Sequence, residues 1–137
     1  MTSEHWKDDP EDQDYPAARS YLSLLVDPSE AKKTAKALAN EPDAARYKAK
    51  DILRAAGLPL LPLDDPEVAK DLAKVKAGTK LSPVLLVRGA PLWVADGYHR
   101  ICASYHLDED AEIPCRIVTR PRVDAGPKRT RKAGWDR

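Results

Sequence analysis

Five consecutive residues, Asp96-Gly97-Tyr98-His99-Arg100, carry most of the chemistry this sequence offers. Gly97 lets the backbone turn sharply and approach a ligand closely. A helix starting at Tyr98 or His99 would point free backbone N–H groups past its own end. Such an end attracts anions, phosphates above all. Arg100 adds a planar fork that matches phosphate oxygens, and His99 adds a second donor. Asp96 is a candidate catalytic proton acceptor and a candidate Mg²⁺ ligand. Cations in a first turn oppose the helix dipole, so the pair makes better sense with an anion present. The same residues also suit plainer duties. Asp96-Gly97 is ordinary turn chemistry with Asp96 as a helix cap, and His99 and Arg100 can simply face solvent.

Other reactive side chains are scattered. Cys102 shares a helix face with Ile101 and Tyr105, so it is expected to be a small buried side chain. His99, Cys102, His106 and Cys115 lack the paired spacing of a structural zinc site. Asp64, Asp65 and Glu67 stand at a helix start, where capping is their expected job, although they are also candidate site carboxylates. Lys80 and Arg88 are candidate sources of positive charge or plain surface residues.

The elements that must position the motif follow from spacing. Ala18, Tyr21, Leu22 and Leu25 recur as one helical face beginning near Tyr15. Asp27-Pro28-Ser29-Glu30 stops that helix and starts a second, which buries Ala31, Ala35, Leu38 and Ala39. A third helix is expected over 43–56, with Ala45, Ala49, Ile52, Leu53 and Ala56 inward and Gly57 as its C-terminal cap. The prolines of Leu58-Pro59-Leu60-Leu61-Pro62-Leu63 force an extended path. Asp65-Pro66 starts a fourth helix running to Lys76, with Val68, Leu72 and Val75 inward. Residues 81–88 read as a strand covered on both faces, because Val84-Leu85-Leu86-Val87 is a continuous apolar run. Gly89-Ala90 turns the chain into a second strand over 91–95. A short helix over 98–107 and a third strand over 113–118 close the pattern.

Composition bounds the class. The chain has 137 residues, enough for one domain with a real core, and is 42% hydrophobic and 33% charged. The formal net charge of +1 gives no global field for nucleic acid. Charge is nonetheless polarised. Glu4, Asp8, Asp9, Glu11, Asp12 and Asp14 crowd the N-terminus, and Arg120, Arg122, Lys128, Arg129, Arg131, Lys132 and Arg137 crowd the C-terminus. No apolar run nears the roughly 20 residues of a membrane span. The acidic start is unlike a secretory signal, so reduced thiols and a cytoplasmic location are expected. Residues 1–14 are expected to be a disordered acidic arm, 15–57 a helical extension, 58–119 the domain proper, and 120–137 a basic flexible tail.

The order from residue 58 onward is extended segment, helix, strand, strand, tight turn, helix, strand. With Asp96-Gly97-Tyr98-His99-Arg100 at the turn and Ile113-Pro114-Cys115-Arg116-Ile117-Val118 as closing strand, it resembles the ParB/sulfiredoxin superfamily. Locally the motif is most similar to the Asp-Gly-His-His-Arg of that superfamily's free serine kinases. The resemblance implies an α/β fold, a small mixed sheet of the ParB/sulfiredoxin type; the helical N-terminal extension expected before it lies outside the resemblance. It also implies a nucleotide, ATP or CTP with Mg²⁺, whose phosphates meet His99 and Arg100, with phosphotransfer or hydrolysis as the associated reactions; Gly97 and Tyr98, at the turn and helix start, complete the candidate nucleotide-binding residues. Tyr98 stands where sulfiredoxins carry their catalytic cysteine, and Cys102 is a full helical turn away, so sulfiredoxin chemistry is not expected. Two other functions stay open on the sequence. One is a non-enzymatic DNA- or protein-binding module, with the basic tail touching nucleic acid. The other is a ParB-like nuclease, which needs an acidic metal cluster that Asp96 alone does not supply.

Overall fold

The computed structural model describes residues 5–120. The elements in chain order are α1 (Asp14–Leu22), α2 (Pro28–Asn40), β1 (Ala45–Lys48), α3 (Ala49–Ala56), α4 (Pro66–Lys76), β2 (Val84–Arg88), β3 (Trp93–Asp96), α5 (Tyr98–Leu107) and β4 (Glu112–Thr119). The fold is mixed α/β. Its sheet has four strands in the order β1-β4-β2-β3. β4 runs parallel to β2, while β1 and β3 pair antiparallel at the two edges.

The central strand explains the layering. Val84, Leu85, Leu86 and Val87 are all fully buried, so both faces of β2 are covered. Val84 and Leu86 join one core with Ile52 and Leu53 of α3, Val68 of α4 and Ile101 and Cys102 of α5. Leu85 and Val87 join the opposite core with Ala18 and Leu22 of α1 and Ala31 and Leu38 of α2. The result is three layers, with α1 and α2 on one face and α3, α4 and α5 on the other. No helix among the described residues is long and apolar enough to cross a membrane.

Two expectations are corrected. The helix expected over 43–56 starts only at Ala49, because 45–48 form β1 against β4. Ala45 and Ala49 fit a helical face, but Ala45 is satisfied as well by lying opposite Cys115. Its charged neighbours Arg46 and Lys48 suit an exposed sheet edge. β1 and α3 therefore belong to the same sheet and core as the segment after residue 58, and packing is continuous across that expected boundary.

The second correction concerns the acidic arm. Residues 5–13 dock on the body of the molecule. Trp6 is only 4% exposed and lies in the core with Leu81 and Val68. Leu81 donates its N–H to the His5 carbonyl at 2.9 Å and accepts the Lys7 N–H at 2.7 Å, a one-residue parallel bridge. Burial of an indole outweighs the solvation of the carboxylates around it. The expected basic tail lies outside the described residues except for Arg120. That guanidinium stacks 3.5 Å over the Trp93 ring, in space that a side chain at Gly89 would fill.

The extended segment over 58–63 runs as its prolines dictate and is held without a ladder. Three residues one turn apart on α5 grip it. Tyr98 Oη donates to the Pro59 carbonyl at 2.6 Å, Cys102 Sγ accepts from the Leu61 N–H at 3.5 Å, and His106 Nε2 lies 2.7 Å from the Leu61 carbonyl. A helix places residues four apart on one face, so these side chains form a row of fasteners.

Candidate functional site

The β3–α5 turn is built by a register change. Leu85 faces Asp96, yet Leu86 faces Val94, so a bulge re-aims the end of β3. Gly97 follows with φ 114° and ψ 14° and serves as the N-cap of α5. A Cβ here would lie 2.4 Å from Val84 Cγ1 and 3.0 Å from Arg100 Nη2. Glycine is required both for the left-handed backbone and for the close approach. Asp96 makes no cap bond, contrary to the capping expectation. Its carboxylate turns to Arg100.

Arg100 Nη2 donates to Asp96 Oδ2 at 3.1 Å and to the Pro83 carbonyl at 3.3 Å. The two side chains are 17% and 19% exposed. Arg100 Nε is buried without a hydrogen-bond partner. Burial pushes the Asp96 carboxyl above its ordinary value, while Arg100 pulls it down and the nearby Asp14 carboxyl pushes it up again. Tyr98 is committed to Pro59 through its hydroxyl. His99 is half-buried, its ring 5.6 Å from that of Tyr98.

Two carboxylates that the motif does not announce stand beside it. Asp14, at the start of α1, is buried and accepts from Ser82 Oγ at 2.8 Å and from the Glu11 N–H at 3.0 Å. Asp71 of α4 is also buried. Burial raises its carboxyl, and Lys74, Arg100 and His99 oppose that shift. Both were detectable in principle. Asp14 lies on the helical stripe of Ala18 and Leu22, and Asp71 falls among Val68, Leu72 and Val75. A carboxylate on an apolar stripe must be buried or break the stripe.

Asp14, Asp71 and, of the motif, Arg100 alone line a small polar cavity of about 90 Å³, completed by Glu11, Gln13, Lys74, Lys80, Leu81 and Ser82. Lys80 thus lines this cavity. Arg88 is not; it stands at the other end of β2 and donates to Thr119 Oγ1 at 3.2 Å. There it borders a larger, mainly apolar hollow of about 260 Å³ floored by Ile52, Leu86, Leu92 and Ile117. Asp65 does what its position suggests, accepting the Glu67 and Val68 N–H groups at 3.1 Å as the cap of α4.

Among the described residues no group of three or more His, Cys, Asp or Glu converges as a metal site. Mg²⁺ needs less than that from a protein, namely one or two carboxylates, with water and phosphate oxygens completing its shell. Asp96 with Asp14 beside it matches this donor count, although Asp96 is bonded to Arg100 and Asp14 to Ser82. Cys102 and Cys115 are free, buried and apart from the polar cavity. Compared with known protein families, curated proteins and solved structures, the chain matches none.

Proposed function

We propose that the β3–α5 turn binds the phosphates of a nucleotide, ATP or CTP with Mg²⁺, in the manner the ParB/sulfiredoxin resemblance implies. The observation that supports it most is the state of Arg100. This guanidinium is largely desolvated, leaves Nε without a partner, and sits in the first turn of a helix whose dipole opposes it. An incoming phosphate supplies what the cation lacks and displaces Asp96, freeing that carboxylate for Mg²⁺ or for a proton. Gly97 gives the close backbone approach, and the start of α5 adds N–H donors. Asp71 and Lys80 face the same cavity and are the groups that would position a second substrate or a water, should phosphotransfer or hydrolysis follow.

A thermal-shift screen of ATP, CTP, GTP and UTP, each with and without Mg²⁺, tests this reading. A Mg²⁺-dependent rise in Tm with one or more of them is expected. No shift with any nucleotide at millimolar concentration would leave the motif as a turn held by an internal ion pair.

A further inference from the structure

The arm that precedes α1 is anchored at both ends and crosses the candidate site between its anchors. At one end Trp6 is buried, and the chain on either side of it is hydrogen-bonded to Leu81. Next, buried Arg116 of β4 holds the Asp8 carbonyl at 3.2 Å and the Asp9 carboxylate at 2.7 Å. At the other end Asp14 is fixed by Ser82. In between, Glu11, Gln13 and Asp14 form one wall of the cavity whose remaining walls include Lys74, Lys80 and Arg100. Glu11 itself bonds to Lys7 and is further attracted by Lys74 and Arg100.

Two features of this arrangement point the same way. The first is size. Pockets that hold ligands of nucleotide size span roughly 300–1,000 Å³, whereas the arm leaves about 90 Å³. The second is charge. Glu11 of the arm is attracted by Lys74 and Arg100, two cations that a phosphate group would use, so arm and ligand would compete for the same positive charge.

We infer that residues 5–13 are an autoinhibitory strap, hinged where Asp14 begins α1, that covers the cationic side of the site and must swing out before a polyphosphate ligand can enter. This rests on the phosphate-binding reading above. The closed state lowers apparent affinity by the fraction of molecules in which the strap is open. Weakening an anchor raises that fraction and therefore tightens binding. The strap is then a point of control, because any partner that captures Trp6 or neutralises the acidic run would activate the site.

Calorimetric titration of the full chain with ATP·Mg²⁺ and with inorganic tripolyphosphate tests the strap. Three variants are compared with wild type: Trp6→Ala removes the main anchor, Asp9→Asn removes the carboxylate held by Arg116, and Glu11→Gln removes a competing charge. Trp6→Ala should bind both probes on the order of tenfold more tightly or better, and the other two severalfold more tightly. In wild type, either probe should speed proteolysis within residues 5–13. If Trp6→Ala fails to fold, Asp9→Asn and Glu11→Gln decide the matter. Equal or weaker binding by the variants, with wild type binding normally, overturns the strap and leaves the phosphate site standing. Failure of every variant to bind either probe overturns the phosphate reading, and the strap with it.

Discussion

Arg100 closes on Asp96 across a single helical turn, with Nη2 and Oδ2 3.1 Å apart. The cation offered by the motif is therefore already engaged, and its partner is the motif's own carboxylate. The pair is less than one-fifth exposed, so water does little to weaken it. Each member needs the other in the unliganded protein. A ligand anion must outcompete Asp96, and a ligand metal must outcompete Arg100. On the proposed reading, a salt of both, such as a nucleotide with Mg²⁺, would exchange the two at once.

Arg100→Ala should therefore have two effects. On the proposed reading it removes a charged hydrogen bond to phosphate, so affinity for ATP·Mg²⁺ should fall by roughly 1.5–3 kcal/mol. It also strands Asp96 half-buried without its counter-charge, so stability should fall by about 1–3 kcal/mol. The helix-dipole relief expected from losing a first-turn cation is only about 0.3–1 kcal/mol, and the stranded carboxylate outweighs it. Arg100→Lys should recover part of each loss, because a point charge reaches Asp96 without reproducing the fork. Calorimetry and urea unfolding on the same samples check both. Wild-type affinity in the alanine variant would remove Arg100 from the ligand site, and wild-type stability would show that the ion pair is idle.

Gly97→Ala should destabilise the fold more than most surface changes. At φ 114° an alanine is strained, by roughly 1–2 kcal/mol. Its Cβ would also overlap Val84, a fully buried residue in the middle of the sheet that has nowhere to move. Overpacking of that kind adds about 1–3 kcal/mol. A combined loss of about 2–5 kcal/mol in urea unfolding is expected. A loss below about 0.5 kcal/mol, the size of an ordinary surface change, would mean that the turn relaxes and that glycine is not needed there.

Much of this was legible from the residues, and the misses have physical causes. Pro28 and Pro66 mark helix starts, Gly57 marks a helix end at φ 67°, and α5 spans Tyr98–Leu107 as its spacing predicts. The apolar run at Val84 announced a strand buried on both faces. β1 was hidden because Ala45-Arg46-Tyr47-Lys48 makes sense only beside β4, a pairing formed with residues far along the chain. The docking of the arm is hidden in the sequence for a similar reason. A single tryptophan among charges has no periodicity, yet one well-placed indole anchors a segment. At the β3–α5 turn, the motif names Arg100 and Asp96 but not their pairing, and Asp14 and Asp71 come to it from other elements. Side chains brought together by tertiary packing leave at most an indirect trace, such as a carboxylate on an apolar stripe.

The thiols provide a third test. Burial raises Cys102, and it pushes Cys115 up to about 12. The thiolate is the reacting form, so both should label far more slowly in the native protein than in denaturant, Cys115 the more slowly. Cys102→Ser should cost on the order of 1 kcal/mol, since a hydroxyl replaces a thiol in the core, and should leave nucleotide affinity unchanged. Rapid native labelling at Cys102, or lost affinity in a folded serine variant, would reopen a chemical role for that sulfur.

Asp71 yields the most specific pH prediction. Its folded-state carboxyl titrates above the ordinary value, with burial as the main cause and Lys74, Arg100 and His99 opposing it. Between the unfolded and folded values the native state holds a proton that the unfolded state has lost. Stability therefore falls as pH rises through that window, and above it the whole cost of the buried charge is present. An asparagine in its place carries no charge to bury. Asp71→Asn should thus match wild type in acid, at about pH 3, and exceed it near about pH 7. Some acid-side slope should survive in the variant, because burial shifts Asp96 in the same direction. Urea unfolding of both proteins across this range gives the difference curve. A variant less stable than wild type at neutral pH would show that attraction to Lys74 and Arg100 outweighs desolvation, and that the carboxylate supports the fold. A variant more stable at neutral pH yet weaker in binding ATP·Mg²⁺ would mark Asp71 as a group kept at a cost to stability for work at the site.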